Sequence, residues 1–189
     1  MGHKHKFDPA HVDKLLSNER MKKLEPDVLL TEAGLSPRQV FADIGCGPGF
    51  FSFEAAQIVG LHGKVLAIDS EPAMLDALKE QNPPVNLSPI LSEENKIPVD
   101  DAVVDFALVA FVLHETLDEI EFLKEVKRIL KPNAKLVIVD WKKQEEEHGP
   151  PMADRLTEAE VSEKLTKAGF SDITSSELNS SHYRIIARI

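Results

Sequence analysis

The sequence predicts an α/β fold: an open, mostly parallel, doubly wound sheet of seven strands with a C-terminal antiparallel hairpin. Three observations predict it. Apolar strand-like runs alternate with segments of helical period along most of the chain. One run, Val103 to Ala110, is almost continuously apolar, as a central parallel strand buried on both faces requires. The last two runs, about Phe170 to Leu178 and His182 to Ile189, are joined by a few turn residues around Asn179-Ser180. So short a connection cannot cross over, and the pair must be antiparallel.

Taken in order, residues 10 to 34 hold two short helical stretches broken at Pro26, the second ending at Gly34. Residues 1–38 thus read as an N-terminal helical cap, and 39–189 as the main domain, the whole forming one compact unit. The first buried strand runs from Gln39 to Ile44, followed by a helix over Gly49 to Val59. A second strand, Lys64 to Ile68, ends at Asp69. Ser70 is placed to cap the next helix, Pro72 suits its first turn, and Met74, Leu75 and Leu78 form its apolar side. After Pro83-Pro84 comes a strand near Val85 to Leu91. Asp118 opens a helix whose Ile120, Leu123, Val126 and Leu130 repeat at helical spacing, and Pro132 stops it. The strand Lys135 to Trp141 leads into one long polar connection, residues 142 to 156, whose acidic triplet Glu145 to Glu147 reads as a solvated loop face. Thr157 and Glu160 have capping-box spacing, and Gly169 ends the helix they open.

Composition narrows the function classes. A chain of 189 residues, 42% hydrophobic and 29% charged, suits one globular domain. No apolar run approaches the roughly 20 residues needed to span a bilayer, and MGHKHKFDPA lacks the apolar segment of a secretory signal; a cytoplasmic location is the default expectation. The single Cys46 rules out an internal disulfide framework and a thiolate metal cluster. His3 and His5 lack the further ligands a metal site needs, so no metal is expected. A net charge of -10 disfavours long nucleic-acid partners, whose phosphates must be neutralised by Lys and Arg.

The stretch VFADIGCGPGFF carries the chemistry. Gly45, Gly47 and Gly49 follow a strand and open a helix, and an acid, Asp69, ends the next strand twenty residues after Gly49. Two cofactor classes set a ribose diol against such an acid: dinucleotides and S-adenosylmethionine. Asp43 helps to choose between them. A carboxylate beside the helix N-terminus repels a pyrophosphate but favours a sulfonium and an ammonium group. Phe50 also stands where the dinucleotide pattern wants Gly or Ala.

DIGCGPG at Asp43 to Gly49, AIDSEPAML at Ala67 to Leu75, SEENKIPVDDAVVD at Ser92 to Asp105, FALVAFVLHE at Phe106 to Glu115 and FLKEVKRILKPNAKLVIVDW at Phe122 to Trp141 together resemble the class I S-adenosylmethionine-dependent methyltransferases. The likeness covers roughly Gln39 to Ile189 and is nearest to the ubiquinone/menaquinone C-methyltransferase group. It implies a Rossmann-like sheet, S-adenosylmethionine as cofactor, S-adenosylhomocysteine as product and a small-molecule acceptor. Carried over, it puts Asp43, Gly45, Cys46, Gly47 and Gly49 around the methionine moiety, with Cys46 as a small packed side chain. Asp69 and Ser70 fall at the ribose, Met74 near the adenine, and Ala110 and Phe111 at the ammonium. Glu93, with Glu94 beside it, stands where the family usually has Asp for the adenine amino group. Pro132-Asn133-Ala134 replaces the usual Pro-Gly-Gly.

His114 follows the fourth strand near the expected methyl position and is the candidate catalytic residue, a proton acceptor or a packing group over the cofactor. Asp140, Trp141, Lys142 and Arg155 are candidate acceptor contacts at the end of the fifth strand and in the loop beyond it. His62 and His182 read as surface or strand-end residues. The competing functions are a methyltransferase of protein or structured RNA and a non-catalytic cofactor-binding module. A second copy of the chain is a candidate cover for the pocket.

Overall fold

The computed structural model describes residues 12–189; His3 and His5 lie outside the described residues. Three short helices come first: α1 (Val12–Leu15), α2 (Asn18–Leu24) and α3 (Pro26–Glu32). The sequence pattern suggested two. The extra break falls at Ser17, whose hydroxyl accepts the Arg20 main-chain N–H at 3.3 Å and caps α2. Pro26 then occupies the first turn of α3, where its missing N–H costs nothing.

The sheet contains β1 (Val40–Ile44), β2 (Lys64–Asp69), β3 (Leu87–Leu91), β4 (Val104–Ala110), β5 (Leu130–Trp141), β6 (Ser171–Glu177) and β7 (His182–Arg188). Their order is β3-β2-β1-β4-β5-β7-β6, and only the β5–β7 and β6–β7 pairs are antiparallel. The helices between strands are α4 (Phe50–Val59), α5 (Pro72–Glu80), α6 (Glu119–Ile129) and α7 (Glu158–Ala168). One face of the sheet buries Leu123, Val126, Val161 and Leu165 from α6 and α7. The other buries Leu24, Leu29 and Leu30 from the N-terminal helices with Phe51, Ala55, Leu75 and Leu78 from α4 and α5. The strand order reverses between β1 and β4, so a crevice opens at their carboxyl ends.

Two boundaries differ from the sequence pattern for local reasons. Glu71, not Ser70, is the N-cap of α5, because the Asp69 carboxylate already accepts the Glu71 N–H at 2.9 Å. Helix α6 stops at Ile129, before Pro132, because Leu130 turns extended and pairs with Val104. Asn133 follows at φ 63°, a left-handed position that asparagine tolerates better than most residues. That explains how Pro-Asn-Ala can stand in for Pro-Gly-Gly. The other expected caps form: Asp118 accepts two N–H groups at the start of α6, Thr157 and Glu160 cap each other, and Gly169 closes α7 at φ 87°.

Candidate functional site

The glycine turn joins β1 to α4, and its three glycines do different work. All lie at positive φ: 75° at Gly45, 53° at Gly47 and 95° at Gly49. A Cβ at Gly45 would collide with the Val112 side chain, so this glycine lets the chain after β4 close against the turn. At Gly49 a Cβ would crowd Phe53 and Leu78. Only Gly47 has ordinary space in front of it, its nearest neighbour being Leu15 Cδ1 at 3.6 Å. The turn hangs from β2: the Gly45 and Cys46 N–H groups donate to the Ile68 carbonyl at 2.8 and 3.0 Å, and the Gly47 N–H donates to Asp69 Oδ2 at 2.7 Å.

A set of ionisable groups surrounds this turn. Asp43 is buried, and Ser52 Oγ donates to its Oδ2 at 2.5 Å. Burial is the main force pushing its carboxyl up to about 7; Asp69 adds to it, and Ser52 and Arg20 oppose it. Burial likewise raises the Asp69 carboxyl, against main-chain donors from Glu71, Gly47 and Ser70. Cys46 is buried and its thiol is pushed well up by burial, Asp43 and Asp69, so it is a packed, unreactive side chain. Arg20 enters from α2. Its guanidinium lies 4.6 Å from the Phe50 ring centroid and 5.2 Å from that of Phe111, and among the described residues it donates to the Leu15 carbonyl at 3.2 Å. Burial lowers its pKa to about 10, with Asp43 pulling the other way.

The high Asp43 value has a measurable consequence. Between the ordinary 3.8 and about 7 the folded chain keeps a proton that the unfolded chain has released. The contribution of this group to stability is therefore full below that window and is lost as pH rises through it. Urea midpoints of wild type relative to Asp43→Asn should fall from about pH 4 to about pH 7 and level off above that. A difference that stays flat would show that Asp43 is ionised throughout.

At the end of β4 the backbone of Phe111 takes φ 62° and its N–H donates to the Val139 carbonyl at 2.8 Å. A short 3₁₀ turn, Leu113–Glu115, then presents His114. His114 Nδ1 is 2.8 Å from Asp140 Oδ1, so the two residues assigned separately to catalysis and to acceptor contact form one buried pair. Burial presses the His114 pKa down, but Asp140, Glu115 and Asp154 outweigh it and leave it raised. With its Nδ1–H donated to Asp140, the neutral ring keeps Nε2 as an acceptor.

The remaining expected residues divide. Met74 is buried on α5, while Ser70 is exposed at the α5 entrance. Glu93 is exposed and its main chain bridges to Lys96; Glu94 accepts the Leu117 N–H at 2.7 Å and ties its loop to the chain after β4. Lys142 points instead to Glu177, 2.8 Å away on β6. Arg155 does not present its guanidinium to an acceptor. Its nitrogens donate to the carbonyls of Pro150, Lys142, Gln144 and His148, which pins the 142–156 loop. The Arg155 guanidinium lies over the Trp141 ring, which meets His182 edge-to-face.

Two residues of this site were passed over in the sequence. Arg20 sits in NERMKK, where it is indistinguishable from its solvated basic neighbours. His182, read as a surface or strand-end residue, begins β7 but is buried opposite Trp141 of β5, a pairing across non-consecutive strands that the sequence does not show.

Comparisons with known proteins identify the family and the fold. A family model described as Methyltransferase domain matches residues 42–138. The crystal structure of a SAM dependent methyltransferase from Aquifex aeolicus superposes with a TM-score of 0.92 at 37% identity, over 97% of this chain and 100% of that one. The 2-phytyl-1,4-naphtoquinone methyltransferase of Trichormus variabilis is 30% identical over 112 residues, covering 57% of this chain and 49% of the relative. The demethylmenaquinone methyltransferase of Oceanobacillus iheyensis is 25% identical over 132 residues, covering 68% and 55%. The chain thus spans about half the length of these curated relatives.

Proposed function

This chain belongs to the class I S-adenosylmethionine-dependent methyltransferases, and from that premise we propose that it methylates a small-molecule acceptor by in-line displacement. S-adenosylhomocysteine is the product. The names of the quinone-methylating relatives support the small acceptor.

The residues fit the cofactor. The observation that carries the reading is the half-buried Arg20 guanidinium set over Phe50 and Phe111 near Asp43 at the glycine turn. A zwitterionic methionine end with a sulfonium needs a cation for its carboxylate and acids for its positive groups, and this corner supplies both. Arg20 holds the carboxylate, and Asp43 balances the positive charge from beneath the turn. Gly47, with no Cβ, admits the ligand close to the main chain. Asp69 accepts the Gly47 N–H on Oδ2 and the Glu71 N–H on Oδ1, which fixes a carboxylate suited to the ribose hydroxyls. Met74 and Glu93 border the adenine side, and the main chain at Ala110 and Phe111 faces the ammonium.

When bound, the cofactor supplies an electrophilic methyl carbon whose leaving group is a neutral thioether. The chain's part is alignment and exclusion of water, effects worth on the order of 7–11 kcal/mol in well-oriented systems. The covering groups are Leu15 over Gly47 and the loop pinned by Arg155. Where the acceptor must lose a proton, His114 Nε2 receives it, and Asp140 orients the ring and stabilises the imidazolium.

A methyl-donor assay over a panel of small metabolites tests this reading, with wild type, His114→Gln and Asp140→Asn compared. Turnover of at least one small acceptor is expected. His114→Gln should lower kcat by about 10²–10⁴-fold on acceptors that ionise, with S-adenosylhomocysteine affinity kept. Because Asp140 raises the His114 pKa, Asp140→Asn should shift the alkaline-rising limb of kcat toward lower pH. Turnover confined to protein or RNA would defeat the small-acceptor assignment.

A further inference from the structure

We infer that Glu125 and Arg128 of α6 are positioning residues for the cofactor's base: as one ion pair they set the 92–102 loop so that Glu93 meets the adenine amino group. This rests on the methyltransferase reading above and adds to it two residues that act on the ligand only through the loop.

The loop that follows β3 has little packing to hold it. Glu93, Asn95, Lys96, Pro98, Asp100 and Asp101 are exposed, and of residues 92–102 only Ile97 is buried, at 3% exposure. Its one internal ladder contact is the bridge between Glu93 and Lys96, whose two main-chain hydrogen bonds are both 3.3 Å long. Beside it lies a cavity of about 740 Å³ whose lining includes Leu91, Glu93, Lys96, Pro98, Glu125 and Arg128. A loop with so few buried apolar contacts samples several conformations unless polar contacts select one.

Helix α6 supplies those contacts. Glu125 Oε1 accepts the Ile97 N–H at 2.7 Å, and Arg128 donates to the Ile97 and Val99 carbonyls, both at 2.8 Å. The same guanidinium reaches Asp101 Oδ1 at 2.5 Å, and the Arg128 carbonyl accepts the Ala102 N–H at 3.0 Å. The two side chains also fix each other, Arg128 Nε donating to Glu125 Oε2 at 2.9 Å and Nη2 to Oε1 at 2.8 Å, a two-bond pairing. A planar, forked guanidinium can serve a carboxylate and two carbonyls at once, which a lysine cannot. Arg128 holds the Glu125 carboxyl below its ordinary range against the effect of burial, so the pair is charged at neutral pH. An ordinary helix-surface pair such as Glu121–Lys124 joins two exposed side chains; this one directs both partners at main-chain groups of a loop.

The other end of the loop is anchored at the site. The Ser92 N–H donates to the Asp69 carbonyl at 2.9 Å, beside the carboxylate assigned to the ribose. Glu94 Oε1 accepts the Leu117 N–H at 2.7 Å, next to the turn that carries His114. Glu93 lies between these two anchors, and its direction depends on how the following residues are held. Loss of the α6 anchor leaves the ribose and methionine contacts in place and weakens the contact to the base. A carboxylate can accept a hydrogen bond from a 6-amino group but not from a 6-oxo group, so the identity of the base reports where Glu93 points.

The test is calorimetric titration of the full chain with S-adenosylhomocysteine and with S-inosylhomocysteine, whose base carries a 6-oxo in place of the 6-amino group. Wild type should bind the adenine compound at least about tenfold more tightly, the scale of one hydrogen bond to a charged group. Arg128→Met should bring the two affinities near parity, chiefly by weakening the adenine compound. Glu125→Gln, which keeps an acceptor for the Ile97 N–H, should retain an intermediate preference. Lys131→Met, which breaks an ion pair to Asp105 at 2.8 Å elsewhere on the sheet, should keep the wild-type preference. A wild type that does not distinguish the two compounds, an Arg128→Met protein that distinguishes them as wild type does, or an equal loss in Lys131→Met would each overturn the inference. Where Arg128→Met does not fold, Glu125→Gln decides, by whether its preference falls below that of wild type. Failure of wild type to bind S-adenosylhomocysteine removes the methyltransferase reading and this inference with it, whereas binding with a preference indifferent to the pair removes the inference alone.

Discussion

Replacing Gly45 with alanine is expected to destabilise the protein by about 2–5 kcal/mol, the largest effect of any single methyl group added to the glycine turn. Two costs combine. The residue sits at φ 75°, where a side chain adds strain of about 1–2 kcal/mol. The new Cβ would also fall on the Val112 side chain, and forcing atoms into a packed interior costs about 1–3 kcal/mol. Relief is not cheap, because Gly45 is held by its N–H bond to the Ile68 carbonyl and Val112 leads directly into the turn that carries His114. Gly47→Ala is the matched control. It carries the strain at φ 53° but meets Leu15 only at 3.6 Å, so urea unfolding should show a loss of about 1–2 kcal/mol. Equal losses at the two positions would mean that Val112 yields freely.

Arg20→Leu should separate cofactor binding from folding. Loss of charge-assisted hydrogen bonds to the cofactor carboxylate is expected to weaken S-adenosylhomocysteine binding by about 1.5–3 kcal/mol, or roughly 10–150-fold. Folding stability should hold or improve, because a desolvated cation is exchanged for an apolar side chain beside Leu15, Phe50 and Phe111. The Asp43 carboxyl loses an attractive neighbour and should titrate still higher than about 7. A destabilised variant with unchanged affinity would make Arg20 a strut of the N-terminal segment.

Much of this architecture was legible because the controlling signals are local. The nearly continuous apolar run from Val103 to Ala110 announced a central strand, and the short Asn179-Ser180 connection forced the antiparallel end. Asp118, the Thr157–Glu160 box and Gly169 fixed helix limits through chemistry confined to three or four residues. Legibility failed where a distant partner decided the outcome. Helix α6 ends early because Leu130 has Val104, 26 residues before it, to pair with. The same distinction holds at the site. The glycines and Asp69 declare themselves by spacing along the chain. The His114–Asp140 pair joins residues 26 apart, and Arg20 approaches Phe111 from another helix, so neither arrangement leaves a mark on the primary sequence. Arg155 misled for the complementary reason: an arginine in a polar loop resembles a ligand-binding group until its four carbonyl partners are seen.

The most direct measurement is a parallel calorimetric titration of the wild-type chain and Arg20→Leu with S-adenosylhomocysteine and with NAD. Saturable one-to-one binding of S-adenosylhomocysteine to the wild type, weakened in the variant, with no NAD binding to either, is the expected result for a turn that sets a half-buried guanidinium near a buried carboxyl. Binding of NAD to the wild type with no heat from S-adenosylhomocysteine would contradict it.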